Sequence, residues 1–157
     1  PCRIAGVVDD VMKTLHVLAD EKNILLRADG LDVLPPFSAD ERRLFNAFYN
    51  LVHNAISVVQ GGGSITVRGS VDEAHGVMHL AVVDTGKGMP AEIRDTLFTG
   101  HAKSNKVGGT GLGTKIVKDV VDAHGGQISV ESKEDVGTTI HIRLPLQQAG
   151  SAVASSR

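Results

Sequence analysis

The chain has 157 residues, 41% of them hydrophobic and 22% charged, with a formal net charge of -2. That length suits one domain with one core, and no run reaches the roughly 18 apolar residues that a membrane-crossing helix requires. The charge balance gives no clustered Lys and Arg to neutralise phosphates, so neither nucleic acid nor an acidic membrane surface is expected as a partner.

The single cysteine, Cys2, can form no internal disulfide, which fits a reducing, cytoplasmic setting. The chain opens at Pro1 without a charged-then-apolar leader and is expected to be a piece of a longer protein, whose remainder would hold any membrane anchor.

Ile4, Val7, Val8, Val11, Leu15 and Leu18 recur at spacings of three and four, which predicts an amphipathic helix ending near the polar stretch Asp20 to Asn23. A short strand from Ile24 to Ala28 follows. Pro35 and Pro36 mark a loop, after which Ser38 or Asp40 caps a long helix running to about Val59. Leu44, Phe48, Leu51, Val52, Ala55 and Val59 form its buried stripe.

Gly61, Gly62 and Gly63 end that helix. Alternation at Ile65 and Val67 begins a strand that pairs with a second one, Val77 to Val83, whose two apolar faces put it at the centre of a sheet. Asp84 to Gly113 is glycine-rich and too irregular for one element, and long loops of this kind usually carry function. Thr114 to His124 has a helical stripe of Ile116, Val117, Val120 and Val121, closed by Gly125 and Gly126. Two alternating strands, Ile128 to Ser132 and Thr138 to Leu144, complete the domain. Residues 1–146 are thus expected as one domain and 147–157, rich in Ala and Ser, as a disordered tail. The fold class is α+β, with a mixed, mainly antiparallel sheet covered on one face by about three helices.

Three segments carry chemistry. Asn50 and Asn54 stand four apart on the long helix, hence on one face, and can present both amides to one ligand. Asp84-Thr85-Gly86-Lys87-Gly88-Met89 places an acid at a strand end before glycines that admit a ligand to the backbone, although Asp and Gly also make ordinary turns. Gly108-Gly109-Thr110-Gly111-Leu112-Gly113 runs into a helix, whose free N–H groups and positive end suit phosphate oxygens. A dinucleotide fingerprint needs a strand immediately before such glycines, and here a long loop precedes them.

In this order, and closed by Gly137-Thr138-Thr139-Ile140, the segments resemble the histidine-kinase branch of the GHKL ATPase superfamily from about Asp40 to Leu144. Asn50 to Asn54 looks like the N box, Asp84 to Met89 the first glycine box, Leu97 to Lys106 the F box and Gly109 to Gly113 the second glycine box. The resemblance implies a two-layer α/β sandwich of the Bergerat type. It implies that Asn54 coordinates Mg²⁺ with Asn50 near the phosphates of ATP, and that Asp84 accepts the adenine N6 hydrogen bond with Thr138 helping through water. It further implies that Gly86, Gly88 and Met89 admit the nucleotide, that Gly109, Thr110, Gly111, Leu112 and Gly113 wrap the triphosphate, and that Lys103 or Lys106 contacts the γ-phosphate. Ser57 stands where many members carry a basic residue, His101 replaces an aromatic and Thr114 a Leu.

The activity implied is transfer of the ATP γ-phosphoryl group to a histidine on a separate dimerisation domain, for relay to the receiver domain of a response regulator. Two other readings are a conformational ATPase, whose branches carry a glutamate where Asn50 stands here, and a nucleotide-responsive binding module without transfer. None of the seven histidines is followed by an acidic residue, so the phosphoacceptor is expected outside this chain, and the chain itself is expected to be monomeric. His53 reads as structural, His75 and His79 as improbable joint metal ligands, and His124 as a helix-end residue favoured by the negative end of the dipole.

Overall fold

The computed structural model describes residues 2–86 and 112–146. Helix α1 spans Ile4–Glu21, strand β1 Leu25–Asp29, helix α2 Glu41–Val58, strand β2 Ser64–Asp72, strand β3 Val77–Asp84, helix α3 Leu112–Ala123, strand β4 Gln127–Lys133 and strand β5 Gly137–Pro145. A single 3-10 turn, Leu31–Val33, lies between β1 and α2.

The described strands form one sheet in the order β1-β2-β3-β5-β4. Only β1 and β2 run parallel, as the intervening α2 crossover demands, and the remaining neighbours are antiparallel. β3 is central, as its apolar character on both faces predicts. Side chains alternate across a strand, so Met78, Leu80 and Val82 of β3 and Ile140, Ile142 and Leu144 of β5 point to one face, where all six are buried. The helices cover that face: α2 packs between α1 and α3, and Phe48, Ile56, Val8 and Val117 share one core with the sheet. The other face carries Arg68, His79, His141, Arg143 and Glu131 and is open to solvent.

Asp40, one of the two expected caps, is the N-cap of α2, its carboxylate accepting from the Arg43 N–H at 3.2 Å. The expected strand Ile24 to Ala28 is displaced by one residue. Ile24 belongs to the turn, its N–H donating to the Ala19 carbonyl at 2.9 Å while its side chain is buried, and Asn23 before it takes a φ of 57°. α3 begins at Leu112 and not at Thr114, because helical pairing reaches back into the glycine run.

His124 corrects the helix-dipole reading. It is 6% exposed, its Nδ1 lies 2.8 Å from the Val120 carbonyl, and its Nε2 accepts from the Asp40 N–H at 3.0 Å. The imidazole must donate through one nitrogen and accept through the other, which is the bonding pattern of the neutral ring. It therefore acts as a polar rivet between the end of α3 and the start of α2.

Candidate functional site

The described part of the site lies at one end of the sheet, where β3, β5 and the last turn of α2 meet. The acid expected at the end of the central strand is there: Asp84 closes β3, is 8% exposed, and pairs in register with Thr138 of β5. Its Oδ1 accepts from the Gly86 N–H at 2.8 Å. Burial pushes the carboxyl above its ordinary value of 3.8, against the opposing pull of the Gly86 and Thr138 backbone N–H groups.

Two glycines make this packing possible. A Cβ on Gly86 would stand 2.9 Å from Asp84 Oδ1 and 3.1 Å from the Val58 carbonyl, so the chain after Asp84 passes directly under the end of α2. Gly137 has a φ of 148°, and a Cβ there would come within 2.1 Å of the Asp84 carbonyl oxygen. Thr138 is buried beside it, with its hydroxyl 2.8 Å from that of Ser132. Thr85 is tied to β2, its hydroxyl accepting from the Ser64 N–H at 3.1 Å. Lys22 donates from Nζ to the Ile56 carbonyl at 2.6 Å and so caps the C-terminal turn of α2.

Val58 gives a ruler along α2. At 1.5 Å per residue, Asn54 lies about 6 Å and Asn50 about 12 Å further along the helix axis from the Asp84 end. Both asparagines are half-buried on one side of α2. The Asn50 amide donates to the Asn46 carbonyl at 2.7 Å, and the Ser57 hydroxyl donates to the Asn54 backbone carbonyl at 2.6 Å. Ser57 thus brings no charge to the helix where a basic residue is common. His53 is exposed and its ring lies 5.7 Å from that of Tyr49.

Asp84, Gly86 and Thr138 are therefore brought together, with Asn54 and Asn50 in line beyond them on α2. Leu112 and Gly113 form the first residues of α3, where the first-turn N–H groups have no intrahelical partner. Gly88, Met89, Lys103, Lys106, Gly109, Thr110 and Gly111 lie outside the described residues. Ser132 and Gly137, which pack against Thr138 and Asp84, were not singled out as site residues by sequence reasoning. The glycine before Thr138 was the available signal.

The chain is an open-faced α/β sandwich with a buried acid at the end of its central strand, set against a helix that carries two half-buried asparagines. Residues 39–148 match the sequence model of the histidine kinase-, DNA gyrase B- and HSP90-like ATPases, and the chain belongs to that family. It is 38% identical over 128 residues to the sensor histidine kinase ZraS of Escherichia coli (strain K12), a match covering 82% of this chain and 27% of that protein. The structure of full-length ShkA in complex with AMPPNP superposes with a TM-score of 0.83 at 28% identity, over 95% of this chain and 31% of that one. The catalytic domain of histidine kinase ThkA, in a nucleotide-free form, superposes with a TM-score of 0.79 at 24% identity, over 92% of this chain and 93% of that one, which speaks to the fold. The chain thus spans about a quarter of the length of its relative ZraS.

Proposed function

We propose that this chain binds Mg²⁺–ATP and transfers the γ-phosphoryl group to a histidine on a separate helical dimerisation segment, from which a response-regulator receiver domain takes it. The observation that carries the reading is the buried Asp84 carboxylate, held by the Gly86 and Thr138 N–H groups at the foot of α2. A carboxylate so placed can accept a charge-assisted hydrogen bond from an amino group such as adenine N6, which an amide or hydroxyl cannot.

With the base anchored at Asp84, the nucleotide extends along α2 past Asn54 to Asn50. Asn54 offers a hard oxygen of the kind Mg²⁺ takes together with waters and phosphates, and the uncharged Ser57 next to it sets no competing cation there. Mg²⁺ bound there would neutralise charge on the phosphates. Leu112 and Gly113 bring the free N–H groups of the α3 start to the same phosphates, and Gly109, Thr110 and Gly111 complete that wrap, with Lys103 or Lys106 at the γ-phosphate. Gly88 and Met89, with Gly86, would admit the nucleotide. The chain's work is positioning and charge compensation, since a neutral imidazole acceptor is already a nucleophile.

Asn50 supports transfer over hydrolysis. Its amide donates to the Asn46 carbonyl and cannot remove a proton from water, so a conformational ATPase would lack its base. The reading places the domain in the cytoplasm, on a protein that is membrane-anchored or free. Incubating the full-length protein with γ-labelled ATP tests it: acid-labile, base-stable label on protein is expected, whereas nucleotide binding without label would point to a binding module.

A further inference from the structure

We propose that His79 and His141 form a two-histidine binding site for a late first-row divalent metal ion such as Zn²⁺ on the open face of the sheet, with Glu131 orienting His141 from behind. The two histidines lie on adjacent strands, β3 and β5, and both point away from the helices. His79 Nε2 is 3.0 Å from His141 Nδ1, with the rings 16° from parallel. Only one proton can sit between those nitrogens.

The other nitrogen of His141, Nε2, meets the Glu131 carboxylate. Donating from Nε2–H to that carboxylate leaves Nδ1 with a free lone pair aimed at His79. This is the carboxylate–histidine arrangement that fixes the tautomer and raises the basicity of a metal-ligating imidazole. When His79 moves its proton to Nδ1, two lone pairs converge and a metal ion replaces the shared hydrogen.

The dimensions permit it. Two metal–nitrogen bonds of about 2.0–2.1 Å at a tetrahedral angle put the nitrogens about 3.3–3.4 Å apart, so the rings need to part by a few tenths of an ångström and turn to aim at the ion. The His141 side chain is 24% exposed on a solvent-open face, which leaves room for that turn. Imidazole pairs suit Zn²⁺, Ni²⁺ and Cu²⁺ and not Mg²⁺. Among the described residues no three His, Cys, Asp or Glu side chains converge on one point, so water fills the remaining positions.

Charges around the pair act in both directions. Arg143 lies opposite His79 in register and disfavours a cation, while Asp72 and Glu131 favour one. Burial first, then His141 and Arg143, holds the His79 imidazole below its ordinary value of 6.5, so it is unprotonated and available at neutral pH. His75 is engaged separately, with Nδ1 at 2.8 Å from the Asp72 carboxylate. The site is independent of the ATP reading: His79 is five residues along β3 from Asp84, about 16 Å, and on the opposite face.

Calorimetric titration of the untagged 157-residue chain with zinc chloride at neutral pH tests the proposal. One saturable equivalent is expected, with imidazole ¹⁵N shifts confined to His79 Nε2 and His141 Nδ1 as the ligating nitrogens. His79→Ala and His141→Ala should each weaken binding at least about tenfold, or 1.4 kcal/mol, and Glu131→Ala about 10- to 100-fold through lost orientation. His79→Gln and His141→Gln keep side-chain bulk if an alanine variant fails to fold, and amide spectra monitor the fold. Absence of saturable binding, or binding that survives both histidine replacements and so resides at His75 or another histidine, would overturn the proposal. Undiminished affinity in Glu131→Ala would overturn the role given to Glu131.

Discussion

Replacing Asp84 by Asn separates ligand binding from fold stability, and the two should move in opposite directions. In the native protein the carboxylate accepts the Gly86 and Thr138 N–H groups and is 8% exposed, so its charge is held in a poorly solvated place. Its pKa is raised by burial, meaning that the folded state holds the proton more tightly than the unfolded chain. The sign follows: the carboxyl's favourable contribution is present below its ordinary value of 3.8, is lost as pH rises through the higher folded value, and leaves a cost at neutral pH. An amide of the same shape carries no charge and so none of that desolvation cost, which offsets the poorer satisfaction of the Gly86 and Thr138 N–H groups by its single oxygen. Its oxygen can keep the Gly86 N–H, but its NH2 then faces the amino group of the base, donor against donor. Loss of one charge-assisted hydrogen bond amounts to about 1.5–3 kcal/mol, or about 10- to 150-fold in affinity. Calorimetry with Mg²⁺–ATP and thermal unfolding of the ligand-free chain measure both quantities. Expected are a loss of affinity in that range with an unchanged or higher Tm, and wild-type affinity that declines as acid protonates Asp84 above its ordinary range. Unaltered affinity in Asp84→Asn would refute the placement of the adenine site.

Asn54→Ala should leave the circular dichroism spectrum nearly unchanged, because alanine is the better helix former, yet abolish productive Mg²⁺–ATP use in the full-length protein. Surviving phosphorylation would remove Asn54 from the metal. His124→Ala breaks the bonds to Asp40 and Val120 and leaves a buried gap, with an expected cost of about 2–3 kcal/mol and a Tm lower by about 4–10 °C. A Tm within error of the native value would show that the rivet between α2 and α3 is idle. Gly137→Ala must move the β5 start away from the Asp84 carbonyl and adopt a backbone angle poor for alanine, so at least about 2 kcal/mol of destabilisation is expected, together with weaker ATP binding. Equal stability by denaturant unfolding would contradict the contact.

What the sequence discloses is whatever is written in local spacing. The stripe of α2 follows from positions three and four apart, and Leu44, Phe48, Leu51, Val52 and Ala55 are all buried as expected. The central place of β3 follows from its apolar faces, and the position of Asp84 from where that run stops. The resemblance of four short segments then supplies the family, which the match over residues 39–148 bears out.

Contacts set by register stay hidden. His79 and His141 are 62 residues apart and meet only because β3 and β5 pair in one particular alignment. His124 reaches Asp40 across 84 residues, and a helix-end histidine offers no local sign that its ring is buried. Element ends were also blurred: Ile24 has the composition of a strand residue but plugs the core from a turn, and Gly111 and Gly113 mask in the sequence a helix that already starts at Leu112.

The central claim is that this chain supplies ATP and phosphoryl transfer, while the acceptor histidine resides on another segment. Mixing the 157-residue chain with the separately produced dimerisation segment of the same protein and γ-labelled Mg²⁺–ATP tests it most directly. Proximity is the missing element, and a bimolecular encounter restores it at some loss of effective concentration. Acid-labile label should appear on the added segment alone, vanish when this chain carries Asp84→Asn or Asn54→Ala, and be absent from this chain when it is incubated by itself. Stable label on one of this chain's own histidines, or no transfer despite tight nucleotide binding, would contradict the claim.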